Sequence, residues 1–155
     1  MNVYLIAKTL HIISSTILFG TGIGIAFFMF RSYFVDNLHE KYYAARNTAV
    51  ADYIFTLPAV FFQPLTGIWL IYEGGYGWNT NWLLLTYGIY ILTGICWLPV
   101  VWIQIQLKKM VAECIESNTA LPLLYHKLFK IWFLLGWPAF IGLVFIFYLM
   151  VAKPV

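Results

Sequence analysis

The chain has 155 residues, of which 63% are hydrophobic and only 10% are charged, and its formal net charge is +3. Soluble domains carry about 25% charged residues, so this composition excludes an ordinary soluble protein and predicts an integral membrane protein. The chain is long enough for one folded unit, and it has no dense basic stripe that would indicate a nucleic-acid partner.

Four membrane spans are predicted, at about residues 3–30, 50–72, 82–107 and 129–152. Each is long enough to cross a hydrocarbon core of about 30 Å at a rise of about 1.5 Å per residue. The first span lacks an A-x-A cleavage pattern, so we expect it to be retained. The sequence therefore predicts one all-α domain over residues 1–155, an antiparallel four-helix bundle in the lipid bilayer.

The loops between these spans differ sharply in charge. The second loop, between residues 72 and 82, has no Lys or Arg. The first and third loops, with their edges, hold seven: Arg31, Lys41, Arg46, Lys108, Lys109, Lys127 and Lys130. The positive-inside rule then predicts that the first and third loops are cytoplasmic and that both termini lie on the non-cytoplasmic side.

Two ionisable residues lie within the first span. Lys8 and His11 are three residues apart, so both point to the same side of a helix. Hydrocarbon solvates neither a charge nor an unpaired imidazole, and such residues are functional candidates. One interpretation is a histidine bonded to a neighbouring helix and a lysine that reaches the headgroups. The other is that His11 binds a cofactor or moves a proton.

Three polar residues are expected at the depth of His11. Gln63 and Thr66 lie on the second span and Tyr90 on the third. Any of them could accept the imidazole N–H and orient the ring, as the partners of metal-bound histidines do. Lys153 is predicted on the same surface as Lys8, where the two cations could bind carboxylates, such as porphyrin propionates, or lipid phosphate.

The other histidines, His39 and His126, are predicted in cytoplasmic loops, away from His11. A copper or zinc centre with several histidines is therefore not expected in the membrane. Haem bound at His11 would be five-coordinate, would use a sixth ligand other than histidine, or would lie between two protomers. Gly20 and Gly24 form a small-xxx-small pair that would suit either a homodimer or a contact inside the bundle.

Proline interrupts three of the four predicted spans, at Pro58, Pro64, Pro99 and Pro138. Each proline leaves the carbonyl four residues earlier without its helical partner, and in lipid that carbonyl needs another donor. Kinked helices can surround a cavity, or the prolines can simply shape packing.

Asp52 is the one acidic residue within a predicted span. A buried carboxylate is costly without compensation, so we expect a cationic partner: Arg46, Lys127 or Lys130. Its role can be a structural ion pair, or binding of a proton or a headgroup.

Several motifs carry a resemblance that covers nearly the whole chain. They are K-T-L-H-I-I and F-G-T-G in the first span, Q-P-L-T-G-I-W-L, C-W-L-P-V-V-W-I-Q, G-W-P-A-F and the closing M-V-A-K-P. Together they resemble a bacterial family of predicted integral membrane proteins without an assigned function (domain-of-unknown-function family 2269). The resemblance implies a multi-pass protein of the bacterial cytoplasmic (inner) membrane.

K-x-L-H-I-I, L-T-G-I-W-L and the terminal V-A-K-P are also similar, more distantly, to the HemJ-type protoporphyrinogen oxidases. Those membrane proteins bind haem b, and the resemblance implies that His11 is the haem ligand. Their pattern has a lysine shortly after a G-W pair, whereas here Gly77-Trp78 is followed by Asn79-Thr80-Asn81. The resemblance therefore implies the haem ligand, but it does not extend to the lysine that accompanies porphyrinogen oxidation in that family.

Three functions follow as hypotheses. The first is a haem b redox protein that oxidises a porphyrin-like or quinol substrate, with a quinone or porphyrin as its partner. The second is a non-catalytic membrane subunit or assembly factor. The third is a small-solute transporter or channel protomer, although no inverted repeat is evident.

Overall fold

The computed structural model describes residues 2–154, and within that range it contains four long helices and no strand. They are α1 (Val3–Tyr33), α2 (Leu38–Glu73), α3 (Asn81–Ser117) and α4 (Leu123–Ala152). Each is long and apolar enough to cross a membrane, which confirms the four predicted spans. A π-helical turn at Asp52–Thr56 interrupts the α-helical pattern of α2 without ending the helix.

The helices extend well beyond the predicted spans at one end of the bundle. Most of the expected first loop, residues 31–47, is helical: α2 begins at Leu38, and the Asn37 side chain accepts the backbone N–H of His39. Likewise, α3 continues to Ser117. Each predicted span lies inside one of these helices, because hydropathy marks the thickness of the hydrocarbon, whereas helical hydrogen bonds continue into water. At about 1.5 Å per residue, α2 and α3 exceed 50 Å.

We name the two ends of the bundle by their residues. The basic end contains the C-termini of α1 and α3 and the N-termini of α2 and α4, with Arg31, Lys41 and Lys108. The terminal end contains the N-terminus of α1, the C-terminus of α4 and the Gly74–Thr80 connection.

Aromatic rings join α1 to α4 along their length. Phe19 stacks on Phe140 with ring centroids 5.2 Å apart, and Tyr33 stacks on Phe129 at 4.4 Å. The residue numbers rise along α1 as they fall along α4, so the two helices are antiparallel.

Hydrogen bonds show the same order between α1 and α2. Near the basic end Lys41 Nζ donates to the carbonyls of Ser32 and Tyr33, at 2.9 and 2.7 Å. Towards the terminal end Gln63 Nε2 donates to the His11 carbonyl at 2.9 Å. These two helices are therefore antiparallel neighbours as well.

The larger apolar core lies towards the basic end and draws on all four helices. Its buried members are Met29, Ala45, Val100, Ile103, Leu107, Val111, Tyr125, Phe129 and Trp132. Close backbone approach between α2 and α3 is concentrated in the Leu38–Ala51 part of α2. Towards the terminal end the bundle consists of two helix pairs, α1 with α2 and α3 with α4. Large side chains connect one pair to the other.

Candidate functional site

His11 is half-buried between α1 and α2, and its ring has a defined partner. The distance from His11 Nδ1 to Thr66 Oγ1 is 2.7 Å. We assign the Thr66 hydroxyl as the donor to the Phe62 carbonyl, 2.8 Å away, and as the acceptor of a His11 Nδ1–H. The Nδ1–H tautomer leaves Nε2 without a proton, as an imidazole needs in order to bind a metal.

Gln63 fixes the backbone under this ring. Its side chain is buried, and Nε2 donates to the His11 carbonyl at 2.9 Å. A Cβ placed on Gly67 would lie 3.6 Å from His11 Cε1, an ordinary contact distance, so the α2 backbone runs alongside the ring. The predicted association of His11 with Gln63 and Thr66 is thus present, although only Thr66 contacts the imidazole.

Tyr90 has a different role from the one expected. Its hydroxyl donates to the Val60 carbonyl on α2. Val60 lies four residues before Pro64, so its carbonyl is the one that this proline leaves without a helical donor. Tyr90 therefore donates to a backbone carbonyl that has no helical partner, and this bond connects α3 to α2. Its hydroxyl does not orient the His11 ring.

A small cavity lies among the four helices beside this site. Its volume is ≈ 40 Å³, enough for about three water molecules. The lining residues come from all four helices: Ser15, Leu18, Gln63, Tyr90, Leu143, Ile146 and Phe147. Gln63 and Tyr90 connect the cavity to the His11 site.

Lys153 is held at the terminal end by aromatic side chains. Its ammonium donates to the Tyr76 hydroxyl and lies 4.4 Å from the Tyr76 ring centroid and 5.8 Å from that of Trp82. The hydrogen bond from Lys153 lowers the pKa of the Tyr76 phenol. Lys153 also lines an open cleft of ≈ 270 Å³, whereas Lys8 is exposed. Neither lysine contacts the His11 ring.

Asp52 is buried, but the expected cationic partner is absent among residues 2–154. Thr56, Gln104 and Trp97 surround its carboxyl, and Asp52 Oδ2 has no hydrogen-bond partner. The three candidate cations, Arg46, Lys127 and Lys130, are exposed. The prediction of an ion pair was wrong because long basic side chains at this end extend into water instead.

His126 was also misplaced in a loop. It lies in the first turns of α4, where Nδ1 is 3.0 Å from the Tyr33 hydroxyl. This bond links α1 to α4 at the basic end, and no sequence motif indicates it. Within the part of the chain that the structure describes, no group of three or more His, Cys, Asp or Glu side chains could hold a metal ion.

The chain belongs to the family described as "Predicted integral membrane protein (DUF2269)", whose model matches residues 5–154. This confirms the family that the motifs indicated. No curated protein and no solved structure matches the chain. The family description places the protein in a membrane and assigns no activity, so function has to be argued from the site.

Proposed function

We propose that this protein is a haem b-binding redox protein of the bacterial cytoplasmic membrane, with His11 as the iron ligand and the basic end in the cytoplasm. The observation that carries the proposal is the 2.7 Å distance between His11 Nδ1 and Thr66 Oγ1, which we assign as an Nδ1–H donated to the threonine hydroxyl. This bond leaves Nε2 available, and a membrane-buried imidazole with one oriented and one available nitrogen is the arrangement that axial ligation requires.

The residues present fit haem as far as ligation is concerned. A single histidine suffices for a five-coordinate haem, whereas the copper and zinc sites considered above need several ligands. The absence of a cluster of metal-binding side chains within residues 2–154 is compatible with haem, since the porphyrin itself supplies four nitrogens.

Space is the more demanding requirement. The cavity of ≈ 40 Å³ holds water but not a macrocycle. Binding would therefore require the α1–α2 pair to move away from the α3–α4 pair. At this depth the separation would break the Tyr90–Val60 hydrogen bond and the contacts of Phe19 with Phe140 and Phe147.

In this proposal Thr66 sets the tautomer and direction of the ring, and Gln63 holds the backbone of His11. Lys8 and Lys153 offer cations at the terminal end for carboxylates such as propionates. When bound, the haem would supply one-electron chemistry for a porphyrin-like or quinol substrate. The protein would tune that chemistry through burial and the Thr66 hydrogen bond.

The test is the visible spectrum of the full chain purified from a haem-replete host. We expect a Soret band that His11→Ala abolishes and that His39→Ala leaves intact, because His39 is exposed at the basic end. Pyridine haemochrome quantification should give the haem content of each variant.

A colourless protein, or a Soret band that His11→Ala retains, would contradict the proposal. A colourless protein in stoichiometric complex with another membrane protein would favour the non-catalytic subunit. A colourless protein that moves a solute into liposomes would favour the transporter.

A further inference from the structure

The π-helical turn of α2 contains a cluster of buried oxygen atoms that the redox proposal does not use. Asp52 is 4% exposed, Thr56 5% and Gln104, on α3, 2%. Asp52 Oδ2, Thr56 Oγ1 and Gln104 Oε1 are all buried without a hydrogen-bond partner. Native structures rarely leave three such atoms together unsatisfied, because each unmade bond costs free energy.

The chemistry of these atoms shows what is missing. Asp52 Oδ2 and Gln104 Oε1 are both acceptors, so they can bond to each other only through an added hydrogen. The Thr56 hydroxyl has one hydrogen and can satisfy one acceptor. Thr56, Gln104 and Trp97 offer neutral hydrogen-bonding groups beside the carboxyl, and none of them brings a positive charge to it.

No charged side chain compensates the Asp52 carboxyl. Asp52 is the only buried acid among the six in the chain. Its carboxyl lies next to the uncharged side chains of Thr56, Gln104 and Trp97. On α1, no titratable residue lies between His11 and Arg31. The basic residues of this end are exposed, partly exposed or already bonded: Arg31, His39, Lys41, Arg46, Lys108, Lys109, His126, Lys127 and Lys130. Its other acids, Asp36, Glu40, Glu113 and Glu116, are exposed. Among its phenols, Tyr43 is exposed, Tyr33 and Tyr42 are partly exposed, and Tyr125 is buried and neutral when protonated.

We infer that Asp52 is a proton-binding site, whose carboxyl donates a proton from Oδ2 to Gln104 Oε1 and exchanges that proton with the aqueous phase at the basic end. One added hydrogen satisfies two buried acceptors and removes an uncompensated charge. Single π-helical turns inside α-helices are frequent at functional sites, and this one contains the acid. The inference does not depend on haem.

Infrared spectroscopy of the full chain in detergent tests the protonation directly. The C=O stretch of a carboxylic acid is resolved from the stretches of carboxylates. At neutral pH we expect one such band, lost in Asp52→Asn and kept in Glu73→Gln, a control acid that is exposed at the opposite end. Gln104→Leu should retain the band but shift it to higher frequency, because the acceptor of the acid proton is gone.

Labelling with N,N′-dicyclohexylcarbodiimide, which reacts with protonated carboxyls in apolar surroundings, tests access. We expect one adduct per chain by intact mass, absent in Asp52→Asn and present in Glu73→Gln. Above the midpoint of the titration, the labelling rate should fall about tenfold per pH unit, in parallel with the infrared band.

Sodium and choline chloride at one pH distinguish the proton from a metal ion. If sodium alone suppresses the band and the labelling, the site binds a metal cation and the inference is wrong. It is equally overturned if wild-type protein shows no carboxylic acid band at neutral pH. The Asn side chain resembles a neutral carboxylic acid in shape, so Asp52→Asn should fold, and the Gln104→Leu shift provides an independent readout.

Discussion

Helix α2 contributes to two polar clusters, one half-buried and one buried, and the two differ in how many of their hydrogen bonds are made. Thr66 and Gln63 bond to the side chain and backbone of His11. About 16 Å along the helix, Asp52 and Thr56 face Gln104 with three oxygen atoms unsatisfied. Both clusters lie in an apolar bundle, where an unsatisfied polar atom is costly.

This difference indicates two kinds of role. Polar side chains that bond to the protein fix geometry, and near the terminal end Thr66 and Gln63 fix the ring and backbone of His11. At the basic end three buried oxygen atoms lack a partner, and in our inference one added proton satisfies two of them. In our two proposals, the same helix orients the haem ligand at one level and holds a proton-binding carboxyl at the other.

The largest expected effect is on the oriented imidazole. Thr66→Val keeps the β-branched shape but removes the acceptor of the His11 Nδ1–H, so either nitrogen can then carry the proton. Loss of such a partner lowers metal affinity about 10- to 100-fold, and we expect this loss in haem titrations. The control Thr16→Val changes an exposed threonine that bonds only to the Ile13 carbonyl. Equal haem affinity in Thr66→Val and wild type would mean that the satisfied cluster does not set the ligand.

The next effect is on stability. Tyr90→Phe removes the donor to the Val60 carbonyl, which Pro64 has already deprived of its helical bond. We expect a loss of about 1–2 kcal/mol in the free energy of unfolding, measured in mixed micelles. Tyr53→Phe, at an exposed position, should change it by less than about 0.5 kcal/mol. Equal losses in both variants would show that Tyr90 is not needed to complete the backbone bonds.

The sequence was sufficient for the four helices because composition and length decide whether a segment crosses lipid. It also brought His11, Gln63 and Thr66 to one depth, since helix rise converts residue number into position. Which of the three bonds to the ring depends on rotation about the helix axes. That rotation follows from packing, and no hydropathy pattern in one chain contains it.

The basic end was predicted less well, and Asp52 shows why. The expectation of an ion pair followed from the cost of a buried carboxylate and from the many basic residues near it in sequence. It overlooked that lysine and arginine at a membrane edge gain more from water than from a buried partner. The π-helical turn that contains Asp52 depends on tertiary packing, so its position could not be read from the sequence.

A smaller effect is expected when one side chain in each cluster is replaced and the free energies of unfolding are compared. If Asp52 is neutral, Asp52→Asn at neutral pH should change the free energy of unfolding by less than about 0.5 kcal/mol. Gln63→Leu breaks a bond that is made, and we expect it to cost about 1 kcal/mol. The measurement is the free energy of unfolding of both variants and of the wild type in the same mixed micelles. A loss above about 2 kcal/mol for Asp52→Asn would mean that the carboxylate is charged and compensated.

The smallest effect concerns Lys153, a cation that does meet a partner at the terminal end. Its hydrogen bond lowers the pKa of the Tyr76 phenol from the ordinary value of 10.0. A lowered pKa in the folded state means that the charged pair stabilises the fold above pH 10, and this contribution is lost as the pH falls through the folded value. Lys153→Gln should therefore change stability little at neutral pH and more in alkali. In a tyrosinate absorbance titration, the variant should lose the earliest-ionising phenol, whereas Lys109→Gln, exposed at the basic end, should keep it. An unchanged titration in Lys153→Gln would show that the ammonium contacts the Tyr76 ring without stabilising its phenolate.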